Sequence, residues 1–130
     1  MEIVAATKIT YIDIDHHKDE RGDLIAFEEN NPIPFHPLRT FCLMNVPESR
    51  KRAGHAVDSE LFIVALKGSA TLIHTDIENR KTRFLLSNDR GIYVPARFYI
   101  EIDKFSTDAL VMVYASKKFS DTNYFGLDQL

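Results

Sequence analysis

Short runs of β-branched and aromatic residues, each closed off by Gly, Pro, Asn or Asp, recur along the whole chain, and this pattern predicts a mostly β architecture. The runs are Ile9–Ile14, Asp23–Glu28, Arg39–Val46, Glu60–Leu66, Ser69–Thr75, Lys81–Leu86, Gly91–Val94, Phe98–Ile102 and Ala109–Ala115. Their length and spacing are those of sandwich or barrel strands. Lys67-Gly68 predicts a tight hairpin, with Gly68 supplying a positive φ. Asp76–Arg80 predicts a second hairpin, Asn88–Gly91 a further turn, and Pro95 ends the strand before it, since proline cannot donate to a sheet ladder. The stretch Phe119–Phe125 predicts either a turn of helix capped by Ser120 or Asp121, or a packed tail.

A chain of 130 residues is long enough to bury one core without staples, and no linker or repeat divides it, so residues 1–130 are read as one domain. Sixteen Lys and Arg against nineteen Asp and Glu give a formal charge of −3, the wrong sign for a general nucleic-acid groove. A small phosphate compound is not excluded, because two or three placed donors suffice to hold it. The single cysteine, Cys42, lies in the apolar run Phe41–Met44, so no intramolecular disulfide forms and a buried, inert thiol is expected. Met1–Lys8 lacks a basic start followed by a long apolar stretch, and nothing later reaches a spanning length, so the expectation is a cytoplasmic protein with no membrane association.

The stretch Gly54–Glu60, followed by an apolar strand and Gly68, has the outline of the first cupin motif, which points to a cupin-type jelly roll, the double-stranded β-helix. Metal-binding cupins place two histidines at i and i+2 on one strand face, with a Glu further on. Here the second position is Val57, and Arg97–Glu101, where the second motif falls, holds no histidine. The usual metal ligands are therefore missing, and no metal or other cofactor is expected. His16-His17 reads as a solvated pair, because neighbouring strand residues point to opposite faces, and His74 reads as structural.

A closer resemblance covers nearly the whole chain. Asp19–Glu29, Ile33-Pro34-Phe35 leading to Arg39, Arg52–Ala56, Leu66–Ser69, Gly91–Pro95, Asp103–Asp108 and Val111–Ser116 follow one another in the order and spacing of the sugar-nucleotide 3,4-ketoisomerases. These WxcM-like cupins act on dTDP-4-oxo-6-deoxyglucose in deoxysugar and polysaccharide biosynthesis. The resemblance implies a jelly roll, a homodimer that exchanges amino-terminal strands, and a pocket for a nucleotide sugar. It also implies a metal-independent shift of a carbonyl from C4 to C3. That reaction needs a base at C3, an acid that delivers a proton at C4, and donors for the enediolate between them.

The family meets this need with a His-Ala-His-Lys run, a tyrosine and a further histidine. The first histidine matches His55, whereas Val57 and Asp58 occupy the positions of the second histidine and the lysine. Counting back from Gly68 leaves one residue fewer than the family spacing, which predicts a deletion or bulge between His55 and Leu61. His55 is the candidate base, and Asp58 and Tyr99 are its candidate catalytic partners. Arg39 and Arg52 are candidate grips for a pyrophosphate, which arginine forks hold bidentately. Arg21 and Glu101 complete the candidate substrate-binding set. The alternative is an inactive relative that kept nucleotide-sugar binding or serves an accessory role. The aromatic set, Phe27, Phe41, Phe62, Phe84, Tyr93, Phe98, Tyr99 and Tyr114, reads mainly as barrel core, with a ring or two free to stack on a thymine base.

Overall fold

The computed structural model describes residues 8–130; the reading of the first seven residues lies outside them. Among the described residues fourteen strands form, namely β1 (Thr10–Asp13), β2 (His16–Asp19), β3 (Gly22–Ile25), β4 (Glu28–Glu29), β5 (Pro32–Ile33), β6 (Arg39–Met44), β7 (Arg52–Val57), β8 (Leu61–Lys67), β9 (Ala70–Thr75), β10 (Lys81–Leu86), β11 (Arg90–Val94), β12 (Ile100–Asp103), β13 (Leu110–Ala115) and β14 (Tyr124–Phe125). Two five-stranded antiparallel sheets, in the orders β1-β11-β8-β13-β6 and β10-β9-β12-β7-β14, face each other as a jelly roll. No helix among the described residues is long and apolar enough to cross a membrane.

Strand alternation divides the apolar residues of the first sheet between two cores. Its inner face presents Leu43, Ile63, Ala65, Ile92, Val94, Val111 and Val113 to Leu72, Leu86, Ile100 and Ile102 of the second sheet. Its outer face carries Phe62, Val64 and Tyr93 into a second cluster with Ile14, Ile33 and Phe35. The segment from β2 to β5 therefore covers what would otherwise be an exposed apolar sheet face. Phe27 lies 5.3 Å from Tyr114 and 6.3 Å from Phe62, ring centre to ring centre, and Phe35 lies 6.3 Å from Tyr93. A side chain on Gly91 would collide with the Phe62 ring, which packs directly on that backbone.

Several expectations change. Lys67-Gly68 does not make a hairpin, because β8 pairs with β11 and β13 while β9 pairs with β10 and β12. The turn is a corner that passes the chain from one sheet to the other. Gly68 keeps its positive φ of 66°, and a side chain there would collide with Ser106. After β1, His16–Asp19 pairs with Gly22–Ile25. The His16 side chain is 8% exposed and 3.4 Å from Asp23, so His16-His17 is not a solvated pair. Cys42 is half-buried rather than buried, because among the described residues β6 is an edge strand with a neighbour on one side only. The Phe119–Asp121 turn is a short 3-10 helix preceded by Lys118, without a side-chain cap from Ser120 or Asp121. The tail then adds β14 to the second sheet.

Candidate functional site

The strand that carries the site, β7, has no run of β-branched residues; pairing with β12 makes it a strand. Opposite β12 it contains one extra residue, since Ile100 faces His55 and Ile102 faces Arg52. Three residues on one strand thus oppose four on the other, which is a β-bulge. Ala53 and Gly54 absorb it with φ of 67° and 91°. The bulge resets the alternation, so that Arg52 and His55, three positions apart, line the same cavity. The bulge lies on the amino-terminal side of His55.

The cavity, about 190 Å³, opens between the sheets. Its polar lining comes from Arg39, Arg52, His55, Ser59, Thr122 and Tyr124, and its apolar wall includes Phe41, Val57, Phe98 and Ile100. Phe41 therefore belongs to the cavity wall as well as to the core. The Arg39 guanidinium sits over the Phe41 ring at 4.4 Å and over Phe119 at 5.0 Å, a cation–π arrangement that holds the charge at the cavity.

His55 is half-buried, and its ring stacks on that of Tyr124 at 4.7 Å between centres with only 4° between planes. Its Nδ1 is buried without a hydrogen-bond partner among the described residues. Burial lowers its pKa below the ordinary histidine value of 6.5, because an imidazolium is poorly solvated there. The imidazole is consequently neutral at pH 7, the protonation state a base requires.

The cavity brings together three of the seven residues singled out from the sequence: His55, Arg39 and Arg52. Asp58 follows Val57 at the strand end and is taken up by the tail. Its carboxylate accepts the Asn123 backbone N–H and side-chain Nδ2, each at 2.9 Å, and Lys117 Nζ lies 3.2 Å away. Those hydrogen bonds from Asn123, with Lys117 adding to them, hold its pKa down to about 2. Tyr99 is outside the lining; its carbonyl accepts the Thr75 N–H at 3.2 Å and lies 3.0 Å from His74 Nδ1. Glu101 pairs with Lys51 at 3.5 Å, and Arg21 pairs with Asp19 on the β2–β3 hairpin.

Tyr124 lines the cavity, as Ser59 and Thr122 do, outside the residues singled out from the sequence. Its strand is two residues long and pairs with β7 across most of the chain, Tyr124 opposite Val57 and Phe125 opposite Ala56. The one available signal was an aromatic pair in an otherwise polar tail. Among the described residues no three of His, Cys, Asp and Glu gather closely enough to share a metal ion.

Residues 7–127 match the family described as FdtA: WxcM-like, C-terminal. The chain belongs to that family. It is 35% identical over 107 residues to a TDP-4-oxo-6-deoxy-α-D-glucose-3,4-oxoisomerase of Aneurinibacillus thermoaerophilus, a match covering 82% of this chain and 77% of the relative. A TDP-quinovose 3,4-ketoisomerase of Campylobacter jejuni superposes with a TM-score of 0.82 at 25% identity, over 92% of this chain and 93% of that one. The sugar 3,4-ketoisomerase of Thermoanaerobacterium thermosaccharolyticum, solved in complex with TDP, shares the fold with a TM-score of 0.82 at 20% identity, over 92% and 89% of the two chains. The jelly-roll reading of the sequence agrees with these matches.

Proposed function

We propose that this protein is a sugar-nucleotide 3,4-ketoisomerase that moves the carbonyl of a dTDP-4-oxo-6-deoxyhexose from C4 to C3, with His55 as the base. The observation that carries the reading is a neutral, half-buried histidine in a cavity that also holds two arginines. It is supported by the identity to an oxoisomerase across most of both chains. His55 draws the proton from C3, and the electrons left behind make an enediolate. The positive charge of Arg39 and Arg52 favours that anion and the diphosphate of the nucleotide. The imidazolium then returns a proton at C4. In the same reading the protein works in the cytoplasm as a homodimer, which a one-chain mass in solution would refute.

A protein that binds the nucleotide sugar without turning it over is the second reading, and the apolar wall at Phe41, Val57 and Ile100 favours it. The two separate in deuterated water. With dTDP-4-oxo-6-deoxyglucose, NMR is expected to show C3 proton loss and a 3-oxo product, both abolished by His55→Asn. Ligand-induced shifts without exchange would establish the binding protein, and neither shifts nor exchange would remove both readings.

A further inference from the structure

We propose that Tyr124 is the acid that works with His55, its phenol protonating the substrate's carbonyl oxygen as His55 takes the proton from the neighbouring carbon. The inference rests on the ketoisomerase reading above and adds to it a residue outside the seven singled out from the sequence.

The argument is one of elimination among the polar groups of the cavity. Arg39 and Arg52 stay protonated at any physiological pH and cannot give a proton up and take it back. The Ser59 hydroxyl is committed: it donates to the Glu60 carbonyl at 3.0 Å, lies 3.3 Å from Ser116 Oγ, and accepts the Ser116 N–H at 3.1 Å. The Thr122 hydroxyl donates to the Lys118 carbonyl at 2.8 Å. The Tyr124 hydroxyl has no hydrogen-bond partner among the described residues, so its proton is free for a ligand.

Placement supports the same assignment. Tyr124 stands across the strand pair from Val57, a side chain that cannot hydrogen-bond, and its ring lies flat on His55. Both rings line the cavity, with the phenol ring stacked on the imidazole. The position is held from behind, where Asp58 takes two hydrogen bonds from Asn123, the residue before Tyr124, and donates its own N–H to the Asn123 carbonyl at 3.3 Å. Asp58 is thereby a positioning residue rather than a proton carrier.

The step balances. His55 removes the C3 proton, the C–H electrons form the C3–C4 double bond, and the C4 carbonyl electrons move to O4, which takes the Tyr124 proton. In the second half the tyrosinate takes the proton of O3, the C3 carbonyl forms, and the double-bond electrons at C4 take the proton from the His55 imidazolium. Both side chains end as they began. Phenols and enols are of similar acidity, so neither half requires a large uphill transfer.

Tyr124→Phe keeps the ring and its stack and removes only the hydroxyl. At 43% exposure the side chain is not part of the core, and thermal melting should confirm an unchanged fold. With dTDP-4-oxo-6-deoxyglucose, kcat is expected to fall by about 10²–10⁴-fold. KM should stay near the wild-type value. A wild-type kcat in Tyr124→Phe, beside an active parent, would overturn the assignment and leave the ketoisomerase reading standing. A parent protein that neither exchanges nor isomerises would remove both.

Discussion

Along two strands of the first sheet, one end of the inner face is sealed and the other is open. On β8 and β13 the inner face runs from Leu61 and Ala115 at the cavity to Ala65 and Val111 in the packed interior. At the packed end Leu72, Leu86, Ile92, Phe105 and Val111 are each 2% exposed or less. At the cavity end the interior gives way to charged and titratable side chains, and an imidazole nitrogen has no partner among the described residues. An unpaired polar atom opposes folding, so this end is built at some expense to stability. Contiguous strands carry the rigidity of the packed end to the site, which lets a bulge of one residue fix where Arg52 and His55 stand.

If the ends divide stability from chemistry in this way, substitutions at each should move one quantity and spare the other. The largest effect belongs to the cavity: His55→Asn should slow C3 proton exchange by about 10²–10⁴-fold with the melting temperature little changed. The lost base accounts for the rate, and the near-equal size of the amide spares the packing. A variant that melts much earlier would show that His55 also holds the fold, and the division would fail.

At the packed end Phe105→Ala is expected to cost about 3–5 kcal/mol of folding stability, the transfer term plus the cavity left in a well-packed core. That is a large fraction of the roughly 5–15 kcal/mol available to a domain. The fraction still folded should exchange the C3 proton at the wild-type rate. Chemical denaturation measures the first quantity and exchange at low temperature the second; a slowed rate in the folded fraction would mean that the packed end tunes the site.

The two ends also differed in how far the sequence revealed them. Strands whose residues alternate between two apolar faces, such as Leu61–Lys67 and Leu110–Ala115, stand out as β because burial on both sides selects bulky residues. β7 lacks that signature, since Ala53 and Gly54 adopt positive φ to form the bulge and its faces meet a cavity or solvent. The sheet corner at Lys67-Gly68 shows the same limit: a glycine with positive φ marks a turn but does not say which sheet receives the next strand. His55, Arg39 and Arg52 were legible from residue type and from the family resemblance. Asp58 occupies a family site position and Tyr99 lies beside one, but successive residues of a strand point to opposite faces and meet different surroundings. Tyr124 depends on a pairing between distant segments that no local pattern encodes.

A smaller effect tests the electrostatics of the open end. Burial lowers the His55 pKa, so the neutral base persists below the pH at which a solvated histidine charges. Isomerase kcat/KM should therefore hold as pH falls through 6.5 and decline only below it, about tenfold per pH unit once the imidazolium dominates. An acid limb centred above 6.5 would require a nearby anion that the cavity lining does not contain.

The smallest effect concerns the clasp behind Tyr124. The Asp58 carboxyl is held at about 2 by the Asn123 hydrogen bonds, against an ordinary value of 3.8. A carboxyl whose pKa falls on folding stabilises the fold while it is ionised. Its contribution is fully present above about 3.8 and is lost as pH falls through about 2. Asp58→Asn removes the charge and should flatten the dependence of the melting temperature on pH in that window, lowering it modestly at pH 7 and leaving it unchanged at the acid end. The amide that replaces the carboxylate can still accept from one Asn123 donor, so the tail should stay docked and kcat fall only by a few-fold. A large loss of kcat at neutral pH would mean that the charge on Asp58 acts on the cavity directly, and the separation between the residue that positions and the residues that react would have to be redrawn.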